Sequence, residues 1–211
     1  MQRHTNNNRL STVYTLAVLI VASIGIVGCS EEVDESAQAN LEESGYSSEG
    51  AAELSRLDLS PEEIEQLEIA KRGGLDDAAA AQIVKTLHDD ELAFDIGMEM
   101  QTLSGAGFSA TALVELVDMG AVRPWESDLR VMKHAGISEP TILAIASRKF
   151  REGKDDVLSG KDYERLKMSS LSDAAIEQFL KKGGDRRQMQ EVELAVRQGT
   201  SEQTALQEAG L

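Results

Sequence analysis

The residues best suited to chemistry in this chain are His88-Asp89-Asp90-Glu91, with Asp95 and Glu99 following at four-residue steps. On one continuous helix, His88, Glu91, Asp95 and Glu99 would share a face, and imidazole with carboxylate oxygens could hold a divalent cation. A single helix face supplies too few ligands for tight binding, and the glycine-turned loop that wraps calcium is missing. The stretch therefore predicts at most weak, salt-like cation binding, and a solvated acidic face with a capping residue is the preferred reading. Gly105-Ala106-Gly107-Phe108-Ser109-Ala110 has the spacing of a dinucleotide-binding loop. A helix-like segment precedes it where a strand is needed, so it carries no nucleotide reading. His134 falls in the last turn of a helix, where a partly positive imidazole favours the negative end of the dipole. Neither His88 nor His134 adjoins a nucleophile motif, as hydrolytic catalysis would require. No catalytic residue, metal or cofactor is expected, and the chain reads as a protein that is not an enzyme.

The elements that would position these residues repeat. Asp128 to Ile142, DLRVMKHAGISEPTI, returns further along the chain as DYERLKMSSLSDAAI, Asp162 to Ile176. Each copy has apolar positions at helical spacing, then Lys, a small residue, an apolar one and Ser, which predicts a short helix, a tight turn and a second helix. Gly136 suits a left-handed turn, Ile137 plugs the corner, and the Ser138 hydroxyl is placed to accept from free amides of the next helix. The corresponding turns are Gly74, Gly107, Gly136, Ser170 and Gly199, and the steps between them are alternately longer and shorter. Five helical hairpins follow, with the alternation hinting at duplication in pairs. A further echo links Leu59–Ala79 to Leu158–Ala175. Periods near 30 mean stacking, because one hairpin cannot bury its apolar face alone. The fold class is all-α, tandem helix-turn-helix hairpins in a short solenoid or compact array. Aromatic content of 4% agrees with closely packed helices better than with sheets.

Within this frame, Ser60-Pro61-Glu62-Glu63 predicts a capping-box helix start. Leu92, Ile96, Met100 and Leu103 predict a third helix, and Arg123-Pro124-Trp125 a break before the Asp128–Ile142 hairpin. Trp125, the only tryptophan, reads as a staple between units, with an exposed binding anchor as the alternative. Lys181-Lys182 and Arg186-Arg187 are expected to pair with nearby carboxylates. Export, the repeated geometry and a strongly acidic charge all oppose a DNA-reading use of the Ala135-Gly136-Ile137-Ser138 turn.

The start of the chain reads differently. Arg3 and Arg9 precede an uncharged, mostly apolar run from Val13 to Gly28, too short for the roughly 20 residues of a spanning helix, and the run ends at Cys29. Ile26-Val27-Gly28-Cys29 resembles the bacterial lipoprotein lipobox. That resemblance implies cleavage of residues 1–28, diacylglyceryl transfer to the Cys29 sulfur and acylation of the new amino group. It also implies a protein lipid-anchored in the cell envelope. Ser30 after the cysteine implies sorting to the outer membrane, facing the periplasm. Cys29 is the only cysteine, which excludes an internal disulfide or a Cys-based metal site. Residues 29–55 carry acids and no base, and predict a flexible acidic tether ahead of a repeat domain over 56–211. The helical hairpins over about 126–180 loosely resemble a motif in bacterial envelope proteins of unknown function, apolar-x-x-apolar-Lys-x-Ala-Gly-apolar-Ser-x-x-x-Ile.

The formal charge of −16 becomes −18 once Arg3 and Arg9 are removed. Such a surface repels nucleic acid and anionic headgroups, so no nucleic-acid partner is expected and membrane contact should run through the lipid on Cys29. The functional expectation is a membrane-tethered protein-binding or scaffolding module, its partner not named by the sequence. The alternative is a lipoprotein that binds a small ligand or a divalent cation.

Overall fold

Every hairpin in this chain turns through the same hydrogen-bonded corner. At Gly136 the backbone is left-handed, φ +80°, and the Gly136 N–H donates to the Lys133 carbonyl at 3.0 Å while the Ile137 N–H reaches back to Met132 at 3.1 Å. These two bonds satisfy carbonyls that the helix end would leave free, and they set Ile137 against Met132 at the corner. The same pair recurs at Gly45-Tyr46, Gly74-Leu75, Gly107-Phe108, Ser170-Leu171 and Gly199-Thr200. Ser170 holds the left-handed conformation, φ +71°, without being glycine.

The computed structural model describes residues 34–211, and among them every regular element is a helix. They form six hairpins: α1 (Glu35–Glu43) with α2 (Ser48–Leu54), α3 (Pro61–Arg72) with α4 (Asp77–Asp89), α5 (Gly97–Gly105) with α6 (Ala110–Asp118), α7 (Val122–His134) with α8 (Glu139–Phe150), α9 (Gly160–Met168) with α10 (Asp173–Lys181), and α11 (Arg186–Arg197) with α12 (Glu202–Glu208). The odd-numbered helices stack in chain order as one layer and the even-numbered as a second. One continuous apolar core runs between them from Leu41 to Leu211. The all-α, stacked-hairpin expectation holds.

Six hairpins replace the expected five, and the additional one comes from the segment read as a tether. Residues 35–54 are helical because their acids fall on the solvent side while Ala37, Leu41, Tyr46, Ala51 and Leu54 are buried. Asp34 caps α1 by accepting from Ser36 and Ala37, and Tyr46 Oη donates to the Leu67 carbonyl at 3.0 Å. In the chain, only Ser30 to Asp34 then separate Cys29 from the first helix. Residues 1–33, and with them the expected signal peptide and Cys29, lie outside the described residues.

Adding this hairpin exposes a larger period. The odd helices alternate in length: 9, 12, 9, 13, 9 and 12 residues. The turns of the short units, Gly45, Gly107 and Ser170, recur at the same interval as those of the long units, Gly74, Gly136 and Gly199, and that interval spans two hairpins. The chain is therefore three tandem modules, each a short hairpin followed by a long one. Modules meet at equivalent glycines: the Gly97 N–H donates to Gln66 Oε1 at 3.0 Å, and the Gly160 N–H to Asp128 Oδ1 at 2.5 Å. A Cβ on Gly160 would sit 2.5 Å from the Asp128 carbonyl oxygen, and one on Gly97 would overlap the Gln66 carbonyl. Glycine is what lets these helix backbones approach.

Three local expectations change. The third helix starts at Gly97, and Leu92 lies in the preceding loop, 54% exposed. Arg123-Pro124-Trp125 is the first turn of α7, where proline is tolerated because the early amides have no intrahelical partner. The Ser138 hydroxyl pairs with Thr141 Oγ1 at 3.0 Å and caps no amide.

Two substitutions test this frame. Gly136→Val puts a β-branched residue at positive φ with open space around its Cβ, so the cost is backbone strain alone, and chemical unfolding should register a loss of more than about 1 kcal/mol. Gly97→Ala adds a Cβ against backbone that cannot give way, and should cost about 1–3 kcal/mol by overpacking. A stability for Gly97→Ala equal to wild type would refute the close module contact.

Candidate functional site

The first polar constellation is a ladder along the hairpin turns. Ser47, the N-cap of α2, accepts from the Gly50 amide and donates its own hydroxyl and N–H to Asp77 Oδ2 of the next unit, at 2.6 and 3.0 Å. Lys71 Nζ grips the other oxygen of Asp77 at 2.6 Å and lies 4.6 Å from the centre of the Tyr46 ring. The arrangement returns as Ser109–Glu139–Lys133, with Lys133 over Phe108 at 5.1 Å. It returns again as Ser138–Asp173–Lys167, through the Ser138 N–H, and, without a lysine, as Ser172–Glu202. Burial pushes the Asp77, Glu139 and Asp173 carboxyls up, but their Lys and Ser donors outweigh it and hold each below the usual carboxylate range. These groups fasten each hairpin to the next at every junction but that between the second and third. The sequence analysis missed the carboxylates of the ladder, although the regular step from Lys to acid is readable at Lys71/Asp77, Lys133/Glu139 and Lys167/Asp173.

The run from His88 to Glu99 does not form one face. Its helix ends at Asp89, Glu91 takes a left-handed backbone, φ +58°, and Glu99 belongs to α5. His88 Nε2 pairs with Glu63 Oε1 at 2.7 Å; Glu63 also accepts from the Phe94 amide at 2.8 Å and from Ser60, in the expected capping box. Asp95 and Glu99 both pair with Arg123, at 2.7 and 3.2 Å. Among the described residues no group of three or more His, Cys, Asp or Glu side chains is placed to hold a metal ion. The polar signal is spent on joining α3, α4, α5 and α7.

Trp125 is buried, not an exposed anchor, and packs edge-on against Phe150 of the same hairpin at 5.6 Å. The late basic cluster pairs locally: Lys181 with Glu177, Arg186 with Asp162 and Arg187 with Glu191. The Gly105–Ala110 stretch is a hairpin turn between two helices. His134 ends α7, exposed, and Cys29 lies outside the described residues.

What remains open to a partner is the solvent side of the odd layer. Met98, Met168 and Leu194 are 56%, 73% and 57% exposed. Counted back from their own turns at Gly107, Ser170 and Gly199, they stand nine, two and five positions away. At about 100° per residue those positions fall within roughly 60° of one another, opposite the buried face. A cavity of about 260 Å³ opens beside Leu92, lined by Leu87, Ile96, Val117 and Val122 with the Arg123–Asp95 bridge at its edge. Among the described residues no helix is long and apolar enough to cross a membrane.

Comparison with known proteins finds no match: no family model, no curated protein and no solved structure.

The buried Glu63 gives a pH prediction. Burial pushes its carboxyl up, but the bonds from His88, Phe94 and Ser60 outweigh that and bring it down to about 2, against 4.5 unperturbed. The unfolded chain therefore takes up the proton first as pH falls, and stability drops from about pH 4.5 towards pH 2. Glu63→Gln should lower stability by about 1–3 kcal/mol at pH 7, with the deficit shrinking across that window. Urea unfolding from pH 7 to pH 2.5 measures it, and a pH-independent deficit would refute the assignment.

Proposed function

We propose that this chain is a lipid-anchored protein of the bacterial cell envelope whose stacked hairpins bind another protein and hold it at the membrane. The observation that carries the reading is the odd-layer face, where three large apolar side chains stand more than half exposed, each opposite the buried residues of its own helix. Methionine suits such a surface because its unbranched, polarisable side chain adapts to a partner. Stacked repeats present extended surfaces of this kind. The lipobox supports anchoring at Cys29, since multiple acyl chains bind a bilayer stably where one does so marginally. With α1 starting at Glu35, the folded part begins close to the anchor. No enzymatic role, nucleic-acid partner or cofactor is proposed, and Ser30 supports outer-membrane sorting. The alternative of a cation carrier loses its basis, because His88, Asp95 and Glu99 already have protein partners. A small-ligand role finds little support either: the polar groups at the Leu92 cavity, Arg123 and Asp95, are bonded to each other.

Two measurements test this. Cells fed a labelled fatty acid should label the wild-type protein and not Cys29→Ala; equal labelling of both would remove the anchor. Photocrosslinking residues placed at Met98, Met168 and Leu194 in intact cells should give one common adduct, with none from Gln82, which is exposed on the even layer. Adducts from Gln82 alone would put the partner on the other face and reject this one.

A further inference from the structure

The three modules serve as controls for one another at the joint inside each module, where the odd helix of the short hairpin meets that of the long one. In module 3 that joint, α9 against α11, is crossed by two bridges: Arg186 to Asp162 at 2.7 Å and Arg165 to Glu193 at 2.6 Å. Burial raises the Asp162 carboxyl, but Arg186 and Ser159 outweigh it and hold it below the usual range. In module 2, Arg123 occupies the position that Arg186 holds one module later, and Glu99 that of Asp162. These equivalents form the same bridge across α5 and α7.

Module 1 keeps the joint and lacks the arginines. Stepping back by the repeat, Arg123 becomes Pro61 and Glu99 becomes Ala37, while Arg165 becomes Asn40 and Glu193 has its acidic counterpart in Glu68. Among the described residues no ion pair crosses the joint between α1 and α3, and a cleft opens there. Asp34, Ala37 and Asn40 on one side, and Leu59, Ile64, Glu65 and Glu68 on the other, enclose about 540 Å³. Glu65 and Glu68 have no ion-pair or hydrogen-bond partner among the described residues. Arg72, which stands to Glu68 as Arg197 stands to Glu193, makes no bridge there, whereas Arg197 does at 2.8 Å.

From this deviation we propose that the α1–α3 cleft is a docking site for an arginine-bearing segment of a partner protein. That segment supplies in trans the guanidinium that Arg165 supplies to Glu193 in module 3; module 2 has Thr102 and Arg130 at these two positions and carries no unpaired acid there. The carboxylates of Glu65 and Glu68 take the fork of the guanidinium, a geometry lysine does not reproduce. Leu59, Ile64 and Ala37 receive the methylene stem and a neighbouring apolar side chain. The surrounding field favours the same partner: residues 34–120 hold 20 acids and 4 bases, while residues 121–211 hold 15 of each. This inference rests on the scaffold reading above and names the chemistry of its partner.

The test uses the full-length protein in detergent and a fluorescent peptide of alternating arginine and leucine, followed by anisotropy at physiological salt. A matched peptide carries citrulline for arginine, keeping shape without charge. Saturable binding is expected, weakened at least about tenfold by the citrulline exchange and by Glu65→Gln/Glu68→Gln. Asn40→Arg, which restores the module 3 bridge to Glu68 in cis, should also abolish binding while raising Tm. The charge-matched control Glu49→Gln/Glu115→Gln, on the even layer, should change affinity less than about twofold. Equal loss in control and cleft variants, equal binding of the two peptides, or no binding at all overturns the proposal. So does sedimentation showing a concentration-dependent oligomer that Asn40→Arg disperses, since a second copy would then fill the cleft. If the peptide fails while crosslinks from Met168 persist, the cleft falls and the scaffold reading stands.

Discussion

The left-handed corner with its two back-reaching hydrogen bonds is the constraint on which everything else depends. It stops each odd helix, satisfies its last carbonyls and sends the chain back at a fixed angle, so that the apolar residue after the corner meets one on the helix just ended. A helix of 9 residues is too short to be stable alone. It persists because the corner pre-positions its partner and because Leu, Ile and Met side chains such as Leu103, Leu116, Met132 and Ile145 are wholly buried between the layers, each contributing about 1.5–3 kcal/mol relative to exposure. Repeating one corner six times fixes the direction of stacking without any long-range strand pairing.

An acidic chain built this way must place its carboxylates where repulsion does not undo the stack. The ladder does so by using Asp77, Glu139 and Asp173 twice, as a receptor for the preceding unit's N-cap and as the counter-ion of their own unit's lysine. Bonds shared between neighbouring units couple their stabilities. One junction lacks the ladder: at the positions of the lysine and acid, the third hairpin has Ser104 and Ala110. That junction is one of the two where helix backbones meet at glycine, Gly97 against Gln66. Close van der Waals approach and a direct bond to Gln66 hold the third hairpin there without the ion pair.

Much of this was legible in the residues. The turns from Gly74 to Gly199, the capping box at Ser60 and Glu63, and the hairpin order followed from local signals, because capping and left-handed corners depend on side chains within a few positions of each other. Residues 35–54 were misread because composition was weighed above pattern. Eight acids without a base between Ser30 and Ser55 suggest a solvated tether, yet Gly45-Tyr46-Ser47 repeats Gly107-Phe108-Ser109 and Ala37, Leu41, Ala51 and Leu54 are spaced to be buried. The run from His88 to Glu99 was misread for a different reason. Its partners, Glu63 and Arg123, lie on other helices far from it in sequence, and nothing local says that a histidine will turn to a capping-box glutamate or that one arginine will take two of the acids.

Internal repetition changes what a single sequence can reveal. Where three modules share a fold, a feature kept in all three is explained by folding: the left-handed corner with its two back-reaching bonds is such a feature, and it marks no site. A residue that departs in one module, while its surroundings stay the same, is not explained that way. Pro61 in place of Arg123 and Arg186 still permits a helix start, and Asn40 in place of Arg165 still permits the helix to run on. Neither closes the joint or neutralises Glu68. The repeat has thus been altered at the first module without loss of its architecture. The altered side chains are those that would otherwise have occupied the cleft from within, in the first module of the stack.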